Sequence, residues 1–287
     1  MMEHTFQALG KHILIMHPED DTDRPVLAAI TGEKRTLLMD SGNSRAHAAL
    51  FREELDRRGI RMPDLLVLTH WHWDHSFGMS AWEAPVIAHE GTVAMLAELS
   101  GREWTDAGME ELIQAGTISE ESVEHIRLEY GDSRAVAVNK PDIAFTGTLT
   151  IDLGGITCEL SHVGGDHSAD SCLLYIKEER VLFLGDALGP AVYGGPRRYN
   201  SKNFLQLMDQ VGSYQAECYV ESHGLPMNEQ EFRDDLAPWV QLARIVETAG
   251  DQREQVIQEL KVWLQTEELP GDLLRGVDYF MAGNHYS

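Results

Sequence analysis

The sequence has little cysteine, little positive charge and no long apolar run, and each shortage narrows what the chain can be. Its three cysteines, Cys158, Cys172 and Cys218, stand apart, are odd in number and form no Cys-x-x-Cys pair. They read as small buried residues of a chain kept in a reducing compartment. Lysine and arginine number 23 against 47 aspartates and glutamates, a formal charge of −24. A field of that sign repels phosphate backbones and anionic lipid, so neither nucleic acid nor membrane is expected as a partner. No stretch approaches the roughly 18 apolar residues of a membrane span. Residues 1–5 carry neither a basic nor an apolar leader segment, so a cytoplasmic location is expected. Internal repeats and low-complexity segments are absent too. With 43% hydrophobic residues over 287 positions, the chain can fill one large core, or one core with an appendage.

What the sequence does hold centres on Thr69-His70-Trp71-His72-Trp73-Asp74-His75. The cluster follows Leu65-Leu66-Val67-Leu68, an apolar run bounded by Pro63-Asp64 that is too short for a helix and reads as a buried strand. Imidazole and carboxylate are the usual nitrogen and oxygen donors to zinc, and suit iron and manganese as well. In an extended segment His70 and His72, two apart, point to one side and can share an ion. Asp74 and His75 follow as the chain turns and could reach a second ion.

His-x-His-x-Asp-His after a strand resembles the first metal motif of the metallo-β-lactamase-fold hydrolases, and the rest of that family's donor set follows in order. Gly165-Asp166-His167-Ser168-Ala169-Asp170-Ser171 is similar to the motif that supplies one His. Val181 to Asp186 resembles the strand that ends in a bridging Asp. Tyr219-Val220-Glu221-Ser222-His223-Gly224 resembles the last His motif. The likeness covers about residues 10–225 and points to the glyoxalase II and lactonase-like branch. It implies an α/β fold, a four-layer αβ/βα sandwich. One ion would sit on His70, His72 and His167, a second on Asp74, His75 and His223, with Asp186 between them. The ions would be two divalent metals, zinc first, with iron or manganese also suited. The activity implied is that of a dinuclear metal hydrolase. A metal-bound hydroxide, held by Asp74 as the catalytic carboxylate, would attack an ester, thioester, lactone or related bond of a small-molecule substrate. The same scaffold is similar to mononuclear and dinuclear iron oxidoreductases, and a non-catalytic ligand sensor is a third reading. A homo-oligomer is compatible with all three.

Around these motifs the pattern is β-rich from 11 to 40, with Gly32-Glu33-Lys34 as a hairpin turn, then helical over 46–58 until Gly59. Asp40 resembles a family turn residue and is expected behind the metal donors rather than among them. Gly78 resembles the glycine that lets the chain turn close to the ions. Trp71 and Trp73 are expected to pack the floor of the site. A domain over 1–226 is expected, with a helical insertion at about 91–140 and a helical C-terminal extension over 227–287 packed on it. The insertion shows helices at 92–99 and 119–130 and reads as a lid whose Trp104 or Met109 faces the ligand. Residues 149–160 form a hairpin about Gly154-Gly155. His167 rather than His162 is the expected donor, and Asp166 either orients it or makes a turn. In the loop 187–200, Tyr193 is placed to donate to an oxyanion. Arg197, with Arg198, Tyr199 and Lys202, makes a basic cluster that could read a substrate carboxylate or phosphate.

Overall fold

The computed structural model describes residues 4–131 and 135–284, so the reading of residues 1–3 lies outside it. The apolar runs near the start become a meander. β1 (Phe6–Leu9), β2 (Ile13–Met16), β3 (Leu27–Thr31) and β4 (Thr36–Met39) pair antiparallel, and Gly32 donates to Arg35 O (2.9 Å) across the tight turn between the last two. α1 (Arg45–Arg57) opens on Ser44, whose side chain accepts from His47 N, and ends where Gly59 takes φ 66°. It crosses over to β5 (Leu65–Val67), which runs parallel to β4, and β6 (Val86–His89) and β7 (Ile143–Phe145) extend the sheet in parallel. Among the described residues this sheet has seven strands in chain order.

The second sheet is built from β8 (Thr148–Asp152), β9 (Thr157–His162), β10 (Cys172–Ile176), β11 (Val181–Gly185), β12 (Cys218–Glu221) and β13 (Met227–Asn228). β8 and β9 form the expected hairpin; Gly154 and Gly155 at its turn take φ 87° and 79°.

Period-two alternation decides the layers. Ile13, Ile15, Ala28, Ile30 and Met39 of the first sheet meet Cys158, Leu160, Cys172, Leu174 and Phe183 of the second in one buried cluster. The alternate residues Leu14, Met16, Leu27 and Leu38 face outward onto Ala48, Phe51 and Leu55 of α1. On the far side, Leu173, Leu182 and Leu184 pack on Leu207 and Val211 of α6 (Ser201–Gly212) and on Phe232 and Leu236 of α7 (Glu229–Ala249). The result is a four-layer sandwich, helix–sheet–sheet–helix.

Between β6 and β7 lie α3 (Glu90–Leu99), α4 (Asp106–Gln114) and α5 (Glu120–Tyr130). α4 was not foreseen; Thr105 starts it by accepting from Gly108 N. After α7 come α8 (Arg253–Leu264) and α9 (Gly271–Gly283), the latter also unexpected. β13 and α7 continue the second sheet and its outer layer, so the chain around residue 226 is continuous packing. Tyr199 and Phe204 share a buried cluster with Leu242, Val246, Val277 and Phe280 of the last helices. α9 comes close because Gly283 carries no side chain; a Cβ there would sit 1.8 Å from Tyr199 O. Among the described residues no helix is long and apolar enough to cross a membrane.

Candidate metal centre

β5 delivers Leu68 and Thr69 to the sheet edge; the chain then bends at Thr69 and again at Trp71, rather than running on as the extended segment expected, and the short helix α2 (Trp73–Ser76) turns Asp74 and His75 inward. Trp71 and Trp73 are buried beneath this turn as core residues. Donor atoms of His70, His72 and His167 lie within 4.8 Å of one another, and so do those of Asp74, His75, Asp186 and His223. The first sheet gives four of these residues. The loop after β9, the end of β11 and the end of β12 give the other three. Asp186 Oδ2 lies 3.4 Å from His167 Nε2, 3.4 Å from His75 Nε2 and 3.5 Å from His223 Nε2, so it faces both groups.

The remaining atoms of these side chains are committed elsewhere, and that aims the free ones. His75 Nδ1 donates to Asp40 Oδ2 (2.8 Å), and Asp40 Oδ1 accepts from Thr69 N (2.8 Å). Asp40 is fully buried and takes φ 57°, a left-handed turn, so it is at once a turn residue and the partner of a histidine. His167 Nδ1 donates to Pro190 O (3.2 Å). Each bond fixes the tautomer that leaves Nε2 with a lone pair pointing inward. Nε2 of His70 is buried without a hydrogen-bond partner, His75 Nε2 faces the Asp74 and Asp186 carboxylates at 2.9 and 3.4 Å, and His72 Nδ1 faces His167 Nε2 at 2.9 Å. Buried polar atoms left without partners are costly. A cation between them satisfies all of them, so the donor set fits divalent metal ions of the kind bound by nitrogen and oxygen ligands.

The electrostatics divide the cluster. Burial, reinforced by neighbouring imidazoles, holds His70 and His72 well below the usual imidazole range, as uncharged donors. Burial opposes charge on His75 and His223 as well, but Asp74 and Asp186 outweigh it and raise both well above that range. Against their own burial, Asp74 and Asp186 are in turn held well below the carboxylate range by His75 and His223.

Over the cluster opens a cavity of about 360 Å³. Its floor includes His72, Asp74, His167, Asp186 and His223, and its walls include Tyr193, Arg197, Glu121, His125, Asp23 and Glu221. Sequence reasoning did not find the last four. His125 follows Glu121 and Ser122 at helical spacing on α5, a stripe that periodicity alone could have drawn but not aimed. Burial, with Asp74 beside it, pushes Asp23 up to about 6, and burial pushes Glu221 up to about 7.

Several expectations need correction. Trp104 does not line the cavity. It is 6% exposed and stacks edge-on against Phe77 (centroids 4.7 Å), while Met109 is fully buried in the same outer core. The apolar sides of α4 and of its leading loop are drawn onto the sheet, so the cavity wall comes from the polar side of α5 instead. The basic cluster is also dispersed. Arg197 lines the cavity but pairs with Glu121, Arg198 donates to the Tyr193 and Pro196 carbonyls (3.1 and 3.2 Å), and Tyr199 is buried under the C-terminal helices. Asp166 orients no imidazole; it accepts from Asn200 N (2.8 Å) and Asn203 Nδ2 (2.9 Å) and fixes the start of α6. His162 stands outside the cluster, stacked on His89 (centroids 3.8 Å) with Nε2 on Ala169 O. Tyr193 does reach the cavity, with its ring 4.5 Å from that of His72 and its hydroxyl 3.0 Å from Ser122 Oγ.

Comparison with known proteins agrees with this geometry. Among curated proteins, the chain is 24% identical over 200 residues to an atrochrysone carboxyl ACP thioesterase of Passalora fulva, covering 68% of this chain. It spans about half the length of that relative, 46%. Among solved structures, a metallo-beta-lactamase family protein from Thermus thermophilus superposes with a TM-score of 0.60 at 18% identity, over 96% of this chain and 93% of the other. The stereoselective inverting sec-alkylsulfatase Pisa1 from Pseudomonas sp. gives a TM-score of 0.64 at 14% identity, over 95% of this chain and 46% of that one. The family model of the metallo-beta-lactamase superfamily matches residues 25–208, which hold the whole first motif, His167 and Asp186. With more than half its length under that model, the chain belongs to the metallo-β-lactamase superfamily.

Proposed function

We propose that the protein is a dinuclear metal hydrolase, zinc first among the candidate metals, acting on an ester, thioester or lactone bond of a small molecule. One observation carries the reading. Seven histidine and aspartate donors from both sheets converge under one open cavity, with Nε2 of His70 buried and unpartnered among them. His70, His72 and His167 would hold one ion, Asp74, His75 and His223 the other, with Asp186 shared. Bound there, divalent ions supply Lewis acidity, which makes water a nucleophile at neutral pH and polarises the carbonyl. The chain's own residues do the rest. Asp40 and the Pro190 carbonyl keep two imidazoles in the tautomer that presents Nε2. Asp74, on the cavity floor, is the carboxylate that orients the attacking water and accepts its proton. Tyr193, its ring against that of His72, excludes solvent from that end of the cavity. The curated relative is named a thioesterase, which supports thioesters as the first substrates to try.

Elemental analysis of the purified protein tests the reading. About two zinc per chain, falling in His167→Ala, is the expected result. His72→Ala should likewise lose metal and lower turnover by orders of magnitude; full metal and normal turnover would refute the assignment. Iron near one per chain would move the reading to an oxidoreductase, and no metal after reconstitution to a ligand sensor.

A further inference from the structure

Resting on the hydrolase reading above, we propose that His125, backed by Asp23, is a catalytic acid of this chain that protonates the leaving group. No part of the metal cluster is needed to place it. His125 lies on α5 in the insertion, lines the cavity, and has Nδ1 3.6 Å from Asp23 Oδ2. That nitrogen is buried and has no hydrogen-bond partner, so the carboxylate beside it is what its proton faces. Asp23 caps the single 3-10 turn Asp20–Thr22 at φ 55°, its backbone N–H bound to Asp20 O, and its other oxygen lies 3.6 Å from His223 Nδ1.

The pair is held in register by a clamp one helical turn away. Glu129, four residues beyond His125 on α5, accepts from Thr22 Oγ1 (2.7 Å) and Arg24 Nε (3.1 Å). These two residues flank Asp23, so the grip that docks α5 also sets His125 against Asp23. The cavity then has two unlike ends. Tyr193 closes the one over His72; Asp23 and His125 close the one over His223 and Asp74.

With Nδ1 toward Asp23, the opposite ring nitrogen, Nε2, is the one left for substrate, and its imidazolium can donate. In the step, water oxygen bonds to the acyl carbon and the bond from that carbon to the leaving oxygen or sulfur breaks. The leaving atom keeps the electron pair and takes the proton from His125 Nε2. The proton shed by the attacking water restores the imidazolium through solvent. Asp23 is a positioning residue: it fixes the ring so that Nε2 is turned to the cavity.

Leaving-group dependence tests this on zinc-loaded protein. Two esters with one acyl group are compared, one releasing p-nitrophenol and one releasing an alkyl alcohol that cannot depart without a proton. His125→Gln should lower kcat/KM on the alkyl ester by about 100-fold or more, and on the p-nitrophenyl ester at least tenfold less, with zinc content retained. Equal losses on both, or no loss, would overturn the role of His125 and leave the hydrolase reading standing. Wild-type protein loaded with two zinc but inert toward esters, thioesters and lactones would overturn both. Imidazole nitrogen NMR on the unmutated zinc protein gives a readout independent of activity. The proton of neutral His125 should lie on Nδ1 and its resonance should move in Asp23→Asn; an Nε2-protonated ring indifferent to Asp23 would overturn the pairing.

Discussion

Single atoms decide how tightly the loops behind the metal donors can close. Gly78 adopts φ −77°, open to any residue, so its glycine is about space. A Cβ there would lie 2.1 Å from Ser41 O, on the loop whose Ser41 N–H binds His75 O (2.9 Å) and which follows Asp40 directly. Backbone cannot yield as a side-chain tip can. Gly78→Ala should therefore destabilise by about 1–3 kcal/mol through overpacking and pull Asp40 from His75. The expected result is a lower Tm together with reduced zinc retention on dialysis. An alanine variant matching the parent in both would mean the loop has room that the geometry denies. A titrating side chain offers a second test at this scale. Glu54 accepts from Arg57 Nε and Nη2 (both 2.6 Å), and this bonding with help from Arg58 holds its carboxyl down at about 2. A depressed folded-state value stabilises above the ordinary glutamate value of 4.5 and is lost as pH falls from there toward about 2. Glu54→Gln should then lower Tm at pH 7, with the gap to the parent narrowing below pH 4.5 and gone near 2; a gap independent of pH would show that the charge contributes nothing.

At the scale of elements, one buried carboxylate ties the end of the insertion to two distant segments. The Glu129 side chain is 1% exposed and binds Arg24, Thr22 and Ser44, on two other segments. In the sequence it is one more acid of an acidic stretch, and its partners lie 85 to 107 residues away, where no local pattern can point. The same reason hid α4 and α9: the buried face of each is chosen by what it meets, the outer core over sheet one for the first, Tyr199 and Trp239 for the second. The metal donors were legible because their chemistry is compressed into a few residues at strand ends, and the strands because alternation is local. Trp104 misled because an aromatic near a site is equally good core. Glu129→Ala leaves Arg24 half-buried with only Glu19 to answer it, at a cost of about 3 kcal/mol. Hydrogen exchange should show α5 amides losing protection more than those of β2 or β3; uniform loss across the chain would mean that the insertion does not hinge on this contact.

The whole molecule is two sheets meeting at a line of donors, and each sheet supplies donors to that line. His70, His72, Asp74 and His75 come from the first; His167, Asp186 and His223 come from the second. Ions held between them would bind only the folded arrangement, because an unfolded chain scatters donors 153 positions apart, from residue 70 to residue 223. They would also cancel part of a net charge of −24 where two carboxylates and the acidic walls crowd together. Folding stability should therefore rise with free zinc as mass action requires, by about 2.7 kcal/mol at a hundredfold excess over Kd, a Tm gain of roughly 4–5 °C for a chain of this size. Because Asp186 faces both groups of donors, Asp186→Ala should lose most of that gain, whereas Glu54→Gln, far from the donors, should keep it while starting from a lower Tm. Thermal scans against buffered zinc measure all three proteins side by side. A parent Tm indifferent to zinc would mean that the sheets meet without metal between them, and an undiminished gain in Asp186→Ala would move the shared ligand elsewhere in the cluster.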